Sequence, residues 1–378
     1  MIKRLKVSGL LSFGPKGIDL PMRGLNVLIG ANGSGKSNFW EILGLLRTAA
    51  RGHFGTEGDW MRKGEGDHPV GEGTIEVVIS NTKPAQDLCH TLTLFETRTR
   101  IEVADERIED TPHLKAGGFH YRYQRGKPLL MTLEGPVDRT GSIHLSHSVL
   151  PQVKEARLYP ALARLESAYS RMRLLRNWQF GPASELRREQ NSLLPNDFLL
   201  EDRGENLGIV LQDLLTRVRP QIIDSLQKLY EGAEGLRPER VGGAIQLFLR
   251  ESGDRQIRAT RLSDGTLRFL CLISILLHPD PPPLIAIEEP ELGLHPDLIG
   301  HVADLLKLAA SRTQLVVTTH SRRLIDALGD QPESVVVCEK QDGETSFERL
   351  DPKRMKDWLE RYSLGELWSI GELGGNRW

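Results

Sequence analysis

The sequence predicts an α/β fold, and three segments that lie far apart in the chain predict it. Residues 30–37 (GANGSGKS) follow the apolar run 25–29 and precede apolar residues at helical spacing. In residues 284–291, four apolar positions are followed by carboxylates, and residues 261–266 precede an almost wholly apolar segment. Continuous apolar runs of this kind are typical of buried parallel strands, whose carboxyl ends carry polar residues.

The first segment has the strand–loop–helix context that a phosphate-binding loop requires. Its glycines let the backbone wrap closely around phosphate, so that successive N–H groups and the helix N-terminus point at the anion. Lys36 is predicted to reach the β- and γ-phosphates, and Ser37 to hold Mg²⁺. We therefore predict an ATP site with Mg²⁺, bound by Asn32, Gly33, Ser34, Gly35, Lys36, Ser37 and Asn38.

The second segment is predicted to present carboxylates at the edge of the sheet where ligands bind in open α/β folds. One carboxylate can anchor Mg²⁺, and the next can orient and deprotonate the attacking water. We assign Glu288 to the metal and Glu289 to the water. For residues 284–291 taken alone, the alternative is an exposed acidic turn that follows a core strand. The phosphate-binding loop predicted upstream favours the nucleotide site instead.

The third segment is predicted to begin a buried helix. Ser263 or Asp264 is suited to cap that helix, and its free N–H groups would form an anion site. Ordinary helix capping explains the same residues, but the position of the segment shortly before the acidic strand favours the anion site.

In this order the elements resemble those of ABC-type ATPases. The order in that family is phosphate loop, signature (here residues 262–266), acidic strand, D-loop (residues 291–296) and a switch histidine, which matches His320. The resemblance implies that His320 hydrogen-bonds the γ-phosphate or the attacking water and acts in catalysis with Glu289 and Lys36. It also implies that the nucleotide is contacted by Ser263, Asp264 and Gly265.

Within that family the chain resembles the RecF/OLD-like branch, and most of all its bacterial AAA_21-like group of ATPases. The resemblance rests on residues 287–291, 294–296 and 318–321 and on the tail 364–374. Two positions depart from the ABC pattern, because Glu288 replaces the usual aspartate and Asp264 the first glycine of the signature pair. We expect the C-terminal Toprim domain of OLD proteins to be absent, since little chain follows residue 330.

The resemblance implies a homodimer that closes on two sandwiched ATP molecules. Each nucleotide would touch Lys36 of one chain and Ser263 and Gly265 of the other, so that hydrolysis opens the dimer. The branch acts in DNA repair, recombination and phage defence, which implies a separate effector, a nuclease or a toxin, and DNA as a further partner. The alternative is a non-hydrolysing, ATP-binding scaffold that holds a toxin or nuclease inactive, and a transporter motor is a weaker third hypothesis.

The family also has a glutamine at the boundary between its lobes that senses the γ-phosphate and the metal. Gln152, just after a strand-like stretch, is the first candidate for this metal ligand, and Gln179 is the second. The sequence alone does not decide between them.

Composition is compatible with this prediction. The 378 residues suit a nucleotide head with an inserted lobe, and the net charge of −2 gives no overall electrostatic case for nucleic acid. The three scattered cysteines predict neither a disulfide framework nor a metal set. No apolar stretch reaches the ~20 residues that a membrane span requires. We therefore expect a cytoplasmic protein without a membrane partner.

The predicted architecture is a P-loop ABC-type ATPase head with an antiparallel β lobe and an inserted helical lobe. Residues 73–149 alternate in short runs, which predicts antiparallel strands, and residues 153–230 are predicted to be helical. An arginine cluster in the helical region indicates either a solvated helix face or a surface for nucleic acid or an acidic partner. The predicted domains are residues 1–80 (first half of the head), 81–255 (inserted lobe) and 256–378 (second half).

Overall fold

The computed structural model describes residues 1–52, 54, 60–61, 71–80, 87–97, 100–111, 118–124, 127–132, 134–176, 178–191 and 199–374. The helices are α1 (Lys36–Arg51), α2 (Pro160–Ser170), α3 (Leu207–Arg217), α4 (Arg219–Leu229), α5 (Asp264–Leu276), α6 (Leu298–Ala310), α7 (Arg322–Asp326), α8 (Pro352–Leu359) and α9 (Leu364–Ser369).

The strands form three sheets. The first half of the chain contains β1 (Ile2–Ser8), β2 (Ile18–Pro21), β3 (Leu25–Ile29), β4 (Gly73–Ile79), β5 (Leu88–Glu96), β6 (Ile101–Asp110), β7 (Phe119–Gln124), β8 (Lys127–Thr132) and β9 (Gly135–Asp138). The second half contains β10 (Arg173–Leu175), β11 (Gln190–Asn191), β12 (Ala233–Val241), β13 (Ala244–Glu251), β14 (Arg255–Arg258), β15 (Leu284–Glu288), β16 (Gln314–Thr318), β17 (Val335–Gln341) and β18 (Glu344–Arg349).

The central sheet has the strand order β10-β15-β16-β3-β17-β18. All neighbouring pairs are parallel except β17 and β18, which are antiparallel. Every residue of β3 and β16 is buried, as expected for parallel strands that are covered on both faces. Because the strands are parallel, the carboxyl ends of β10, β15, β16 and β3 lie along one edge of the sheet.

The predicted antiparallel lobe is confirmed as an eight-stranded sheet with the order β2-β1-β4-β5-β6-β7-β8-β9. Along β4, buried residues alternate with partly exposed ones, the pattern of a sheet that packs one face on a core. The prediction was wrong for residues 139–150, which form turns and bends although Ile143 is buried. A single apolar side chain can anchor a turn in the core without any strand pairing.

The inserted lobe contains α2, α3, α4 and a small sheet with the order β11-β13-β12, to which β14 adds through β13. A break separates α3 from α4: Val218 has non-helical dihedrals, and Pro220 occupies the first turn of α4. Because β10 pairs with β15, the insert contributes a strand to the central sheet. The domain boundaries at residues 80 and 255 therefore stay a proposal.

Alternate residues of the central strands divide between two hydrophobic cores. Val27 and Ile285 belong to the core that contains α5 and α6, whereas Leu28 and Ala286 belong to the core shared with α1 and the β lobe. The apolar segment of α5 is thus explained by burial in a protein core. Within the described part of the chain, the structure has no helix long and apolar enough to cross a membrane.

Candidate nucleotide site

The phosphate-binding loop connects β3 to α1, as the sequence predicts. Gly30, Gly33 and Gly35 have positive φ, a conformation that L side chains rarely adopt. A Cβ atom on Gly35 would lie 2.3 Å from the hydroxyl oxygen of Thr345, so this position also requires glycine for space. The loop backbone is therefore shaped by three glycines and by the strand that packs beneath it.

Lys36 is the first residue of α1, and its side chain folds over the loop. Its Nζ donates to the carbonyl oxygens of Gly30 at 2.6 Å and Ala31 at 3.0 Å. Burial lowers the pKa of this amine, while the carboxylates of Glu289 and Glu288 act in the opposite direction. The lysine charge thus lies within the electrostatic range of both acids, as a shared phosphate site requires.

A buried hydroxyl network that was not predicted from the sequence supports the loop from below. Thr345 Oγ1 lies 2.7 Å from Ser12 Oγ and donates to the carbonyl oxygen of Ser34 at 3.1 Å. Ser12 Oγ also accepts from the side-chain amide of Asn38 at 2.6 Å. Asn38 therefore positions the loop and α1, and Thr345 could be found only from the fold because it lies on β18.

Glu288 is the last residue of β15 and forms an ion pair with Arg176, which was not predicted to belong to this site. Arg176 Nε donates to Glu288 Oε2 at 3.1 Å, and its Nη1 donates to Glu41 Oε1 at 2.7 Å. Burial raises the pKa of Glu288, and Arg176 partly opposes this shift. The strand register places Arg176 here, because Leu175 on β10 pairs with Ile287 on β15.

Glu289 follows the strand in a backbone conformation that is uncommon for residues other than glycine, with φ of 45°. Its N–H donates to the carbonyl oxygen of Thr318 at 2.9 Å, and its own carbonyl oxygen accepts from Arg268 Nη1 at 2.9 Å. Arg268, on α5, thus binds the Glu289 backbone of the same chain. The backbone of Glu289 is held at the sheet edge by these two hydrogen bonds.

His320 lies next to Glu289 at the end of β16. Its Nε2 is 3.9 Å from Glu289 Oε1. Burial lowers the pKa of His320, and the nearby Lys36 charge lowers it further, against the effect of Glu289. The imidazole is therefore neutral at neutral pH, so one ring nitrogen can donate a hydrogen bond and the other can accept one.

Glu291 links the start of the D-loop to the segment that carries His320. Its Oε1 accepts from the Thr319 hydroxyl and from the His320 N–H at 3.3 Å. Burial raises the pKa of this carboxyl. Glu291 is apparent in the sequence as the last acid of residues 288–291 (EEPE). Only the fold shows that it connects the D-loop to the segment that carries His320.

The signature residues lie against the D-loop. Ser263 is the N-cap of α5 and accepts from the Thr266 N–H at 3.0 Å. A Cβ atom on Gly265 would lie 2.6 Å from the carbonyl oxygen of Gly293, so the two loops are in close backbone contact. An open cavity of about 460 Å³ is lined by Ser263, Gly265, Thr266, Gly293, His295 and Pro296, among others.

Among the predicted site residues, Gln152 is the one for which the structure differs most from the expected role, that of a metal ligand. The side chain of Gln152 is engaged by its own loop: it accepts from the His144 N–H at 2.7 Å and donates to the carbonyl oxygens of His144 at 3.0 Å and Ser148 at 2.9 Å. This geometry does not favour Gln152 as a metal ligand. Gln179 is exposed and follows β10, whose carboxyl end adjoins Glu288, so the fold favours this second candidate.

Ser37 is exposed at the second position of α1, next to Lys36. Its hydroxyl and the Glu288 carboxylate are oxygen donors of the kind that Mg²⁺ prefers. The raised pKa of Glu288 and its pairing with Arg176 show a carboxylate whose charge needs a cationic partner. The donor set therefore fits a divalent cation bound together with phosphate.

Comparison with known proteins identifies the family and the fold. The sequence profile of the family described as "AAA domain, putative AbiEii toxin, Type IV TA system" matches residues 25–326. ABC transporter A family member 2 of Arabidopsis thaliana is 29% identical over 107 residues, which are 28% of this chain and 11% of that protein. This chain thus spans only a small part of the length of that relative.

Three solved SMC head structures have the same fold. The SMC head bound to the C-winged helix domain of ScpA aligns with a TM-score of 0.61 at 14% identity, covering 93% of this chain and 99% of the other. The Smc head with an extended coiled coil from Pyrococcus furiosus, bound to the C-terminal domain of ScpA, gives 0.56 at 15% identity, with coverage of 95% and 98%. The SMC head domain from Thermotoga maritima gives 0.50 at 17% identity, with coverage of 93% and 99%.

These comparisons confirm the ABC-type ATPase resemblance, while the narrower assignment to the RecF/OLD-like branch stays a prediction. The family profile extends from the strand before the phosphate loop to the helix after His320, and so includes the phosphate loop, the signature, β15, the D-loop and His320, whereas Ser12 and Thr345 lie outside it. The chain therefore belongs to this AAA-domain family and has the fold of an SMC-type ABC ATPase head.

Proposed function

We propose that this protein is a Mg²⁺-dependent ATPase whose heads dimerise on ATP and gate a partner effector or a DNA transaction. The observation that carries the proposal is the division of the site into two separate surfaces. Lys36, Glu288, Glu289 and His320 lie along one sheet edge, whereas the exposed signature lies against the D-loop. Each surface holds one half of the groups that the ABC reaction uses.

On the first surface, the loop N–H groups and Lys36 would bind the phosphates, and Ser37 and Glu288 would hold Mg²⁺. The cation would supply charge neutralisation for the phosphates. Arg176 binds one oxygen of the Glu288 carboxylate, so a cation at Glu288 would share that carboxylate with the guanidinium.

Glu289 orients the attacking water and accepts its proton, since phosphoryl transfer depends mainly on positioning and charge. Its backbone hydrogen bonds to Thr318 and Arg268 hold the Glu289 backbone against β16 and α5. Neutral His320 hydrogen-bonds the γ-phosphate or the water from the other side. The pairing of these two side chains supports a single site for hydrolysis.

The second surface acts on the nucleotide of a partner copy. The helix N-terminus at Ser263 is a suitable anion site, and it lies on the protein surface together with the exposed D-loop residue Leu292. Two copies related by a two-fold axis would place each signature over the phosphate loop of the other. ATP then stabilises the closed dimer by mass action, and hydrolysis releases it.

The proposal is tested by measuring phosphate release from ATP. Lys36→Ala is expected to lose both ATP binding and turnover, because the buried amine and its phosphate contacts disappear. Glu289→Gln should still bind ATP but turn over at least ~100-fold more slowly, as for loss of a general base. Lys353→Ala and Glu348→Gln change the same residue types at exposed positions and serve as controls. Wild-type turnover by Glu289→Gln would contradict the assignment.

We propose phage defence or DNA repair as the process, with a nuclease or toxin as the separate effector. The family description, which names a putative toxin and a toxin–antitoxin system, supports a role of this kind, and a solved SMC head of the same fold is bound to a domain of ScpA, which supports a separate partner protein. The rival proposal is a regulatory scaffold that binds ATP without hydrolysing it. The two differ in cells, because the rival requires that Glu289→Gln leaves the biological activity intact.

A further inference from the structure

We propose that Arg187 is the positioning residue of the signature loop, and that its charge makes Asp264 compatible with the phosphates of a partner nucleotide. The inference rests on the proposed ATP-dependent dimer and deepens it. Asp264 occupies a signature position where ABC proteins usually have glycine. The structure supplies a physical reason why a carboxylate is tolerated there.

Arg187 contacts the chain around the signature through every part of its guanidinium. Nη1 donates to the carbonyl oxygen of Leu262 at 2.6 Å, with longer contacts to Thr260 at 3.3 Å and Ala259 at 3.4 Å. Nη2 donates to the Asp264 carboxylate. Four groups within residues 259–264 are thus held by a single side chain, whose planar fork of donors suits such multiple contacts.

The burial of the two partners differs, and this difference assigns their roles. The Arg187 side chain is 11% exposed, whereas that of Asp264 is 63% exposed. A guanidinium that is mostly removed from water must find acceptors, and the loop carbonyls provide them. Arg187 is therefore a fixed part of the protein interior, and Asp264 extends from it toward solvent, where a partner would approach.

The position of Asp264 creates an electrostatic conflict. As the first residue of α5, its carboxylate is favourable for the helix N-terminus. The same N-terminus would receive a polyanionic triphosphate in the closed dimer, and two anions at one helix end repel each other. Arg187 offsets the Asp264 charge, so that the Ser263 and Gly265 backbone remains able to bind phosphate.

Arg187 also connects the signature to the segment that follows β10. Its Nε donates to the carbonyl oxygen of Phe180 at 2.8 Å, and the Phe180 ring lies 4.9 Å from the guanidinium carbon of Arg268. Arg268 in turn binds the carbonyl oxygen of Glu289. The signature loop is therefore joined, through Arg187 and Phe180, to the residue that holds the catalytic glutamate of the same chain.

The experiment uses Glu289→Gln as the parent, because slow hydrolysis preserves an ATP-bound dimer. ATP affinity is measured with a fluorescent analogue at low protein concentration, and the dimer dissociation constant in Mg-ATP by sedimentation. Arg187→Gln should leave ATP affinity of the single chain within ~2-fold while weakening the dimer by about tenfold or more. Arg188→Gln removes the neighbouring exposed arginine and should change neither quantity.

Charge compensation is tested with a second substitution. Adding Asp264→Asn to Arg187→Gln should recover most of the lost dimer affinity, because the uncompensated carboxylate is removed. Arg187→Lys, which keeps the charge but loses the fork, should give an intermediate affinity and provides a folded variant if glutamine is not tolerated. In the otherwise wild-type chain, Arg187→Gln should lower kcat at low protein concentration with little change in KM.

Two outcomes would overturn the inference. Undiminished dimerisation of Arg187→Gln would show that the signature does not depend on this arginine. A loss of dimer that Asp264→Asn does not recover would show that charge compensation is wrong. A parent that stays monomeric in Mg-ATP, with normal ATP affinity, would contradict the proposed function itself and remove the trans contact on which the inference rests.

Discussion

At the scale of single residues, the sheet edge combines charges that burial disfavours. Burial raises the pKa of Glu288 and lowers that of Lys36. Arg176 opposes the first shift, and the carboxylates of Glu289 and Glu288 oppose the second. Arg176 holds the Glu288 carboxylate through an ion pair that is partly exposed, so its net contribution to stability is small. The arrangement is therefore suited to exchange: the carboxylate can pass from a guanidinium to a metal without becoming an isolated buried charge.

The pH dependence of hydrolysis tests the role of His320. Its pKa lies below the ordinary value of 6.5, so the imidazole is neutral at neutral pH and gains a proton only as the pH falls through that lowered value. Protonation removes a hydrogen-bond acceptor next to Glu289, and kcat should fall on the acid side, at a pH below the ordinary histidine value of 6.5. His320→Gln should be slower by about 10- to 100-fold and should lack this acid limb.

The measurement is kcat at saturating Mg-ATP across the range in which the wild-type protein stays folded. Thr319 and Glu291 are left unchanged, so the backbone contact of residue 320 is retained in the variant. An acid limb of the same shape and midpoint in His320→Gln would assign it to another group and remove the histidine from the chemistry.

At the scale of elements, the contact between the start of α5 and the D-loop is the tightest junction of the second surface. The Gly265 backbone packs directly on the Gly293 carbonyl, and Gly293 itself has a φ of 75°. Both loops are exposed to a partner on their outer side. A side chain added at Gly265 must therefore displace the D-loop backbone, since it would meet the Gly293 carbonyl oxygen.

Gly265→Ala tests this junction. The added Cβ would meet a backbone oxygen at 2.6 Å, and relief requires the two loops to separate. We expect a loss of stability of ~1–3 kcal/mol, as for overpacking, together with reduced ATP-dependent dimerisation. Gly300→Ala on α6 is the matched control because a Cβ there meets nothing within 4 Å. Denaturant unfolding and sedimentation would measure the two effects, and wild-type behaviour in both would contradict the predicted contact.

The same elements show how far the sequence predicts the molecule. The phosphate loop, β15 and α5 were predicted because their signals are local: glycines, a continuous apolar run and a capping serine. Thr345, Arg176 and Arg187 were not assigned their roles because each acts on a segment that is distant in sequence. The Gln152 prediction relied on its position after a strand-like stretch, and its geometry no longer favours it because residues 139–150 form turns that bind the glutamine amide.

At the scale of the whole molecule, the residues of the proposed ATP site divide into a set along the edge of the central sheet and the signature at the start of α5. The insert between them is integrated with the head, because β10 is a strand of the central sheet and Arg187 binds the signature. A displacement of the signature loop by the nucleotide of a partner copy would therefore be transmitted directly to the inserted lobe through Arg187. This connection gives the lobe a physical basis for responding to dimerisation, and it is the region in which we expect an effector to read the nucleotide state.

The sandwich dimer is the central claim, and the native mass of Glu289→Gln tests it most directly. Sedimentation is compared without nucleotide, with Mg-ADP and with Mg-ATP, and Lys36→Ala added to the same variant provides the control that cannot bind phosphate. Without nucleotide and with Mg-ADP, we predict the mass of a single chain, 42.4 kDa. With Mg-ATP we predict twice that mass, and the variant that also carries Lys36→Ala should keep the mass of a single chain. A mass that is the same in all conditions, despite measured ATP binding, would contradict the nucleotide-gated dimer.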